Sequence, residues 1–209
     1  LSLHDALPIR LEGAAESVDV MERVLYNAVL HGISLDGTNT YYCNPLTDAD
    51  HLRDNCWVCC PPCLSRTLLR VPGYLYAQTG RDVYVNLYAA SETSIRLKDV
   101  TVGLTVETRY PWDGQVKLTL RPTAPAQFNL RLRLPDWRRA AKLRLNGQGI
   151  AEPTTDRGYA VLAREWRPGD TVELDLPMPV ERVEAHPNVA ANTGRVALQR
   201  GPVVFGLEG

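Results

Sequence analysis

The sequence lacks a long apolar run and lacks an excess of charge of either sign. Its hydrophobic stretches fall well short of the roughly 18 residues of a membrane-spanning helix, so we expect a soluble protein with no membrane partner. Lys and Arg total 23 against 24 Asp and Glu, for a net charge of -1, and the basic residues are scattered. This distribution argues against a nucleic-acid-binding surface.

The sequence also lacks an initiator methionine and a basic-then-apolar signal peptide. Residues 1–9 share no pattern with the rest of the chain, and we interpret them as a non-native translation artefact at the start of a truncated chain. The 209 residues suffice for one or two domains with their own cores.

Cysteine is scarce, but four of the five cysteines lie within eight residues, at Cys56, Cys59, Cys60 and Cys63. Three interpretations compete for this cluster. Thiolates at Cys59 and Cys60 could bind zinc, which prefers sulfur ligands and keeps them deprotonated near neutral pH. A disulfide framework fits poorly, because adjacent cysteines cannot bridge each other without strain and five is an odd number. Free cysteines packed as small hydrophobic residues are the third interpretation.

The first third of the chain is predicted to be helical. Apolar residues recur at three- and four-residue steps over 15–31, which is typical of an amphipathic helix, and Gly32 ends it. A hairpin-like segment with a turn at Asp36-Gly37 follows. The double proline at 61–62 predicts the start of a second helix, because proline fits the first helical turn, and residues 71–73 end that helix.

Beyond Tyr74 the apolar period changes to two. Alternating runs predict short strands at 83–88, 102–106, 116–120, 128–134, 142–145 and 172–176. Turn signals such as Asn146-Gly147 separate them, and evenly spaced short strands predict a β-sandwich rather than a parallel α/β sheet. Residues 196–207 supply further strand material, so we expect a second sheet unit to begin near Glu181.

Several sequence motifs occur in a specific order along the chain, among them MERVLYN at 21–27 and CCPP at 59–62. The others lie at 34–37, 42–46, 73–74, 84–88, 110–114, 158–160 and 194–202. In this order they resemble bacterial glycoside hydrolase family 127, the β-L-arabinofuranosidases. The likeness covers nearly everything after Arg10, and several blocks matched in order are far more specific than any one of them.

The resemblance implies a mixed, mainly β fold, with the end of an (α/α)6 barrel followed by an antiparallel β-sandwich and the start of a second β-sandwich. We expect the barrel end at residues 10–74, the first sandwich at 75–180 and the second at 181–209. A bacterial enzyme with reduced cysteines suits the cytoplasm, although a bound metal would also protect them outside it. The expected partner is an arabinose-containing glycan. The sequence is silent on oligomeric state, and a homodimer is an expectation from base rates alone.

The resemblance also implies site residues. Cys59 matches the family's nucleophile, which also touches zinc, and Cys60 matches a zinc ligand beside it. Attack of a thiolate on the anomeric carbon gives a glycosyl-enzyme, and two such displacements retain configuration. Glu22 and Tyr42 match sugar-contacting residues, since a carboxylate accepts hydrogen bonds from hydroxyls and a phenol donates them.

Departures from the family pattern limit these expectations. The family's acid/base glutamate and two further zinc ligands, a glutamate and a cysteine, lie upstream of this chain, so we expect the fragment to be inactive by itself. Cys43, Cys56 and Cys63 differ from the usual residues and leave the exact sugar open. Without the resemblance, Glu22 would be a solvated helix residue and Tyr42 a packing residue. The competing hypothesis is a noncatalytic carbohydrate-binding or interaction β-sandwich module with vestigial thiols.

Overall fold

A computed structural model of the protein describes residues 14–41 and 60–206, apart from the side chains of residues 60 and 61. Within these ranges, two helices precede a long series of short strands. The segment 1–9, interpreted from sequence as non-native, lies outside the described residues. No helix of the described part is long and apolar enough to span a membrane.

The first helix, α1, spans Ala15–Val24 and confirms the helix predicted from the apolar spacing. Val18 is fully buried on its inner side. The helical path then widens into a π turn at Leu25–Val29 and tightens into a 3-10 turn at Leu30–Gly32. Sequence periodicity did not predict the widening, because one extra residue in a single turn barely changes the spacing of apolar positions.

A short hairpin-like segment follows α1, as the turn signal at Gly37 predicted. An antiparallel bridge joins Ile33 and Thr40, and Gly37 has a φ of 71°, which glycine adopts without strain. The second helix, α2, spans Cys60–Arg70 and continues into a 3-10 turn at Val71–Tyr74. This confirms the helix predicted from the double proline.

The rest of the described chain is a succession of strands. In chain order they are β1 Tyr76–Thr79, β2 Asp82–Val85, β3 Ser91–Arg96, β4 Thr101–Thr108, β5 Gln115–Pro122, β6 Ala126–Arg133, β7 Lys142–Leu145, β8 Gln148–Ile150, β9 Thr154–Asp156, β10 Tyr159–Trp166, β11 Thr171–Asp175, β12 Val180–Glu184, β13 Val196–Arg200 and β14 Val203–Phe205. The strands predicted from alternation are all present. Those missed are β1, β3, β8, β9 and β10; β10 reads YAVLAREW, and its Ala, Leu, Arg and Glu residues are helix formers by propensity.

Two of the sheets pack face to face as the predicted sandwich. The order in one sheet is β1-β2-β6-β10-β9, and in the other it is β3-β4-β5-β11-β7-β8. The pairing of β2 with β6 is parallel, which departs from the predicted antiparallel arrangement, whereas the other pairings are antiparallel. Between β2 and β6 the chain passes through three strands of the opposite sheet, β3, β4 and β5. It then returns to the first sheet in the same direction as β2, which makes this pair parallel.

The sandwich core lies between the inner faces of these sheets. Leu130 and Leu132 of β6 and Leu118 and Val172 of the opposite sheet are fully buried. Successive side chains of a strand point to opposite faces of the sheet. The apolar residues that alternate with polar ones in the sequence therefore all lie on this inner face. Burying each such aliphatic side chain contributes about 1.5–3 kcal/mol.

The helices form a second core against the outside of the sandwich. Val18 and Leu25 of the α1 segment pack with Leu64 and Leu68 of α2 and with Leu87, which follows β2. Beyond the sandwich, β12, β13 and β14 form a separate antiparallel sheet. The assignment of this sheet to a second sandwich, and of the helices to a barrel, stays a prediction.

Candidate functional site

A buried charged cluster lies where α1 meets the sandwich. Asp19 and Glu22, three residues apart, project from one face of α1. Arg133 reaches them from the end of β6, while Tyr110 and Trp137 come from the connections after β4 and β6. The exposed fraction is 1% for Glu22 and 0% for Arg133. Charged groups at such depth persist only when they are paired and hydrogen-bonded.

Each nitrogen of the Arg133 guanidinium donates a hydrogen bond. Nη1 donates to Asp19 Oδ1, Nη2 donates to Glu22 Oε1, and Nε donates to the carbonyl oxygen of Asn86. The carbonyl oxygen of Arg133 in turn accepts a hydrogen bond from the Tyr88 hydroxyl. The guanidinium therefore links α1 to the end of β6 and to the segment that follows β2.

Among the described residues, the donors to the Glu22 carboxylate come from the sandwich and its connections. Oε1 accepts a 2.6 Å hydrogen bond from the Tyr110 hydroxyl and a second bond from Arg133. Oε2 accepts from Trp137 Nε1 at 3.2 Å. Each carboxylate oxygen offers about two acceptor positions, so Oε2 retains capacity for one more donor. The sandwich thus sets the orientation of a side chain that belongs to the helical segment.

Aromatic rings surround this carboxylate. The ring centroid of Tyr110 lies 6.2 Å from Tyr26, 5.7 Å from Tyr88 and 6.3 Å from Trp137. The Arg133 guanidinium carbon lies 5.9 Å from the centroid of the Tyr88 ring. Contacts of this kind add favourable ring–ring and cation–π terms and exclude water, which strengthens the electrostatic interactions inside.

The cluster contains one cation and two carboxylates, and burial is the largest cause of the pKa shifts of its acidic groups. Burial raises the pKa of Asp19 to about 6, although Arg133 opposes the shift. Burial, with the nearby Glu22 charge, raises the pKa of Tyr26 to about 12 and that of Tyr110 well above its ordinary value. Burial would lower the pKa of Arg133, but the Glu22 charge and its neighbours outweigh this and raise it, so the guanidinium stays protonated.

Two further contacts fix the position of α1. The backbone N–H of Ala15, at the start of the helix, donates to the carbonyl of Arg157 at 2.9 Å. A Cβ placed on Gly158 would lie 2.6 Å from the Ala15 Cβ, so only glycine fits this turn between β9 and β10. Farther along, Arg23 Nη2 lies 2.7 Å from Asp136 Oδ2. The helix is therefore attached to the sandwich along its length.

Of the residues proposed from sequence for the site, Glu22 is the one with a described side chain. The other site residues and two extra cysteines are outside the described residues or have side chains outside them: Tyr42, Cys43, Cys56, Cys59 and Cys60. The sugar-contacting, nucleophile and zinc-ligand roles therefore stay predictions. Cys63, on α2, is an exposed free cysteine. Among the described residues, no group of three or more His, Cys, Asp or Glu side chains is placed to hold a metal ion.

Sequence reasoning missed the partners of Glu22. Arg133 follows Phe128, Leu130 and Leu132 in an alternating strand, so it falls on the outer face, where arginine is ordinarily solvated. Its contacts with Asp19 and Glu22 of α1, and with residues after β2, are tertiary and bury it. Two features of the sequence could have pointed to this cluster. Tyr110 is the first residue of one of the family motifs, and Asp19 is a charged residue among the apolar positions of α1.

Three family models match the chain in consecutive order. The model of the β-L-arabinofuranosidase GH127 catalytic domain matches residues 8–73, the GH127 middle domain matches 82–178, and the glycoside hydrolase family 127 C-terminal domain matches 180–209. The chain belongs to glycoside hydrolase family 127. The buried cluster connects two of these matched regions. Asp19 and Glu22 lie in the region matched by the catalytic domain, and Arg133 lies in the region matched by the middle domain.

Solved structures of family 127 have the same fold. The crystal structure of a GH127 β-L-arabinofuranosidase from Geobacillus stearothermophilus T6 is 40% identical, with a TM-score of 0.88 over 94% of this chain and 33% of that one. A GH127 β-arabinofuranosidase structure is 36% identical, with a TM-score of 0.90 over 96% of this chain and 34% of that one.

A curated relative of the chain is also named as a β-L-arabinofuranosidase. The non-reducing end β-L-arabinofuranosidase of Bifidobacterium longum subsp. longum is 34% identical over 95% of this chain and 32% of its own length. The chain therefore spans about a third of the length of the relatives that it matches.

Proposed function

We propose that this chain is the C-terminal part of a retaining glycosidase that cleaves β-L-arabinofuranosides in an arabinose-containing glycan. The observation that carries the proposal is the consecutive match of three family 127 domain models along the chain. Relatives at 34–40% identity are named as β-L-arabinofuranosidases, which supports the choice of sugar.

The nucleophile in this proposal is the Cys59 thiolate. Its sulfur attacks the anomeric carbon, the bond from that carbon to the leaving oxygen breaks, and the leaving oxygen takes a proton from an upstream general acid. Water then attacks the same carbon and gives a proton to the upstream residue, which now acts as general base, while the carbon–sulfur bond breaks and restores the thiolate. Two inversions at one carbon give net retention. A zinc ion held by Cys59, Cys60 and upstream ligands would lower the thiol pKa and favour the thiolate.

Glu22 and Tyr42 are proposed to bind the sugar. Glu22 Oε2 has spare acceptor capacity, since Trp137 supplies its one described donor, at 3.2 Å. We propose that a sugar hydroxyl donates to this oxygen and that the Tyr42 hydroxyl donates to the sugar or to the nucleophilic sulfur. With 1% of Glu22 exposed, such contact involves a single edge of the carboxylate.

The fragment by itself is proposed to be inactive. Two thiolates are too few for a zinc site, which takes three or four protein ligands. The general acid and the remaining ligands are expected upstream. A reading frame that continues upstream and encodes a Glu-x-Cys motif would support this arrangement, whereas a gene that begins near residue 1 would favour a noncatalytic module.

The decisive experiment uses the chain expressed with the upstream region of its own gene. We expect release of L-arabinose from a β-linked aryl arabinofuranoside, with retained configuration in the first-formed product by NMR. Cys59→Ser should abolish release, while Cys63→Ser, which changes the exposed thiol on α2, should leave it unchanged. Turnover by Cys59→Ser would remove the nucleophile assignment, and absence of L-arabinose from the unmodified protein would remove the proposed activity.

The competing proposal is a noncatalytic carbohydrate-binding module. One observation favours it: the Trp112 side chain, in the turn after β4, is 67% exposed, and exposed indole rings stack on sugars. Calorimetric titration of the 209-residue chain with arabino-oligosaccharides tests this. Binding that is lost in Trp112→Ala would support it, and absence of binding would exclude it.

A further inference from the structure

The position of the Glu22 carboxylate depends on residues more than 80 positions away in the chain. Its hydrogen-bond partners Tyr110, Arg133 and Trp137 are 88, 111 and 115 residues from it in sequence. All three belong to the sandwich or its connections. A part of the molecule with no proposed chemistry of its own therefore controls a proposed sugar-binding group.

We propose that Tyr110 is a positioning residue for Glu22, and that its hydroxyl fixes Oε1 so that Oε2 faces the sugar. This inference rests on the proposed function, because it assumes that Glu22 contacts the substrate. It extends that function by making the sandwich part of the sugar-binding site.

Among the three hydrogen-bond partners of Glu22, Tyr110 is the one whose removal should change mainly the orientation of the carboxylate. Arg133 also neutralises charge for Asp19, so its removal disturbs the whole cluster. Trp137 makes the longer contact, at 3.2 Å, compared with 2.6 Å for Tyr110. The Tyr110 hydroxyl is a single directional donor to a charged acceptor, which is the stronger class of hydrogen bond.

The Tyr110 ring is itself held in place. Its backbone N–H donates to Thr108 Oγ1 at 3.1 Å, and rings of Tyr26, Tyr88 and Trp137 pack around it. Tyr110→Phe therefore deletes the donor and keeps the packing. The terminal torsion of a glutamate is soft, so without this donor Oε1 is left with the bond from Arg133, and the carboxylate can rotate about that contact.

The test compares Tyr110→Phe with a matched control in the protein expressed with its upstream region. Tyr76→Phe also removes a half-buried hydroxyl of the sandwich, one that shares a 2.7 Å hydrogen bond with Ser91 and does not touch Glu22. Substrates are an aryl β-L-arabinofuranoside and its 2-, 3- and 5-deoxy analogues. We expect Tyr110→Phe to lower kcat/KM about tenfold on the parent substrate, and Tyr76→Phe less than about twofold.

The deoxy analogues distinguish a loss of Glu22 positioning from a general loss of enzyme activity. The analogue that lacks the hydroxyl bound by Glu22 should show a Tyr110→Phe penalty below about twofold, because the contact being positioned is already absent. If Tyr110→Phe does not fold, as judged by its melting midpoint, Trp137→Phe removes the donor to Oε2 and should show the same selectivity. Equal penalties on all substrates, or no penalty, would overturn the inference alone. A wild-type protein that releases no L-arabinose would overturn the proposed function and this inference with it.

Discussion

The hydroxyl of Tyr110 donates a 2.6 Å hydrogen bond to Glu22 Oε1 and so joins the connection between β4 and β5 to helix α1. The two residues are 88 positions apart, and both are buried. Together with the ion pairs of Arg133, this contact makes the helical segment and the sandwich mutually dependent. Changes to a member of the cluster should therefore affect the stability of both.

Arg133→Met is expected to destabilise the chain strongly. The change leaves the carboxylates of Asp19 and Glu22 buried without their cation, which costs roughly 3–5 kcal/mol of unfolding free energy. Arg139→Met is the matched control, because the Arg139 side chain is 72% exposed in its ion pair with Glu181, and solvent screens exposed pairs so that they add little to stability. Urea unfolding of the 209-residue chain measures the unfolding free energy of the two variants and of the wild type. Similar midpoints for the two variants would contradict the coupling described here.

Asp19→Asn is expected to change the pH dependence of stability. The pKa of Asp19 is raised from 3.8 to about 6, so in this interval the folded protein keeps a proton that the unfolded chain releases. The stability from this group is fully present below about pH 4 and is lost as the pH rises through about 6. The unfolding free energy of the wild type relative to Asp19→Asn should therefore fall across this window, by at most about 1.4 kcal/mol per pH unit.

Urea unfolding at about pH 4, 5, 6 and 7 provides the measurement for Asp19. The asparagine is nearly isosteric and cannot ionise, so it removes the titration while it keeps the size of the side chain. A difference between wild type and variant that is constant with pH, or that grows as the pH rises, would show that Asp19 does not hold a proton in the folded cluster.

Local patterns were enough to predict the core of this fold. The inner residues of the sandwich follow the period of two, as with Leu118 and Leu120 on β5, and α1 follows its apolar spacing. β10 was missed because its residues favour helix by propensity, and its pairing with β6 over Tyr159–Trp166 overrides that preference. Strand pairing between distant segments is a tertiary effect that no local window contains.

The buried cluster could not be predicted for the same reason. Arg131 and Arg133 occupy equivalent outer positions on β6 and look alike in sequence, yet Arg133 is fully buried, whereas the Arg131 side chain is 15% exposed. The difference arises from α1, which covers one end of the strand. Glu22 was identified through the family motif, but its partners became visible only in three dimensions.

Gly114→Ala is expected to disrupt the turn that leads into β5. A Cβ at this position would lie 1.8 Å from the carbonyl oxygen of Leu176, and backbone at such a distance must move. Leu176 N also donates to the Gly114 carbonyl at 3.0 Å, so the displacement would break that bond. We expect a loss of about 2 kcal/mol or more in unfolding free energy.

Gly149→Ala, on β8, is the matched control for this turn, because a Cβ there meets no atom within 4 Å. Its effect should stay within about 0.5 kcal/mol in either direction, as for other surface substitutions. Thermal unfolding of both variants provides the comparison. If Gly114→Ala melts at the same temperature as Gly149→Ala, the close approach to Leu176 does not constrain the turn.

Asn27→Asp is expected to loosen the third sheet. The Asn27 amide, in the π turn after α1, donates to the carbonyl of Pro202 at 2.8 Å and accepts from the N–H of Val204 at 2.8 Å. A carboxylate cannot donate, so it would face the partly negative carbonyl oxygen of Pro202 and lose that hydrogen bond, together with the 2.8 Å bond that the amide donates to the Arg23 carbonyl. Loss of the contact with Pro202 should speed amide exchange of β14 by about tenfold, as measured by hydrogen-exchange mass spectrometry. Asn188→Asp, at an exposed position, controls for the added charge, and unchanged exchange in Asn27→Asp would show that the sheet does not depend on this side chain.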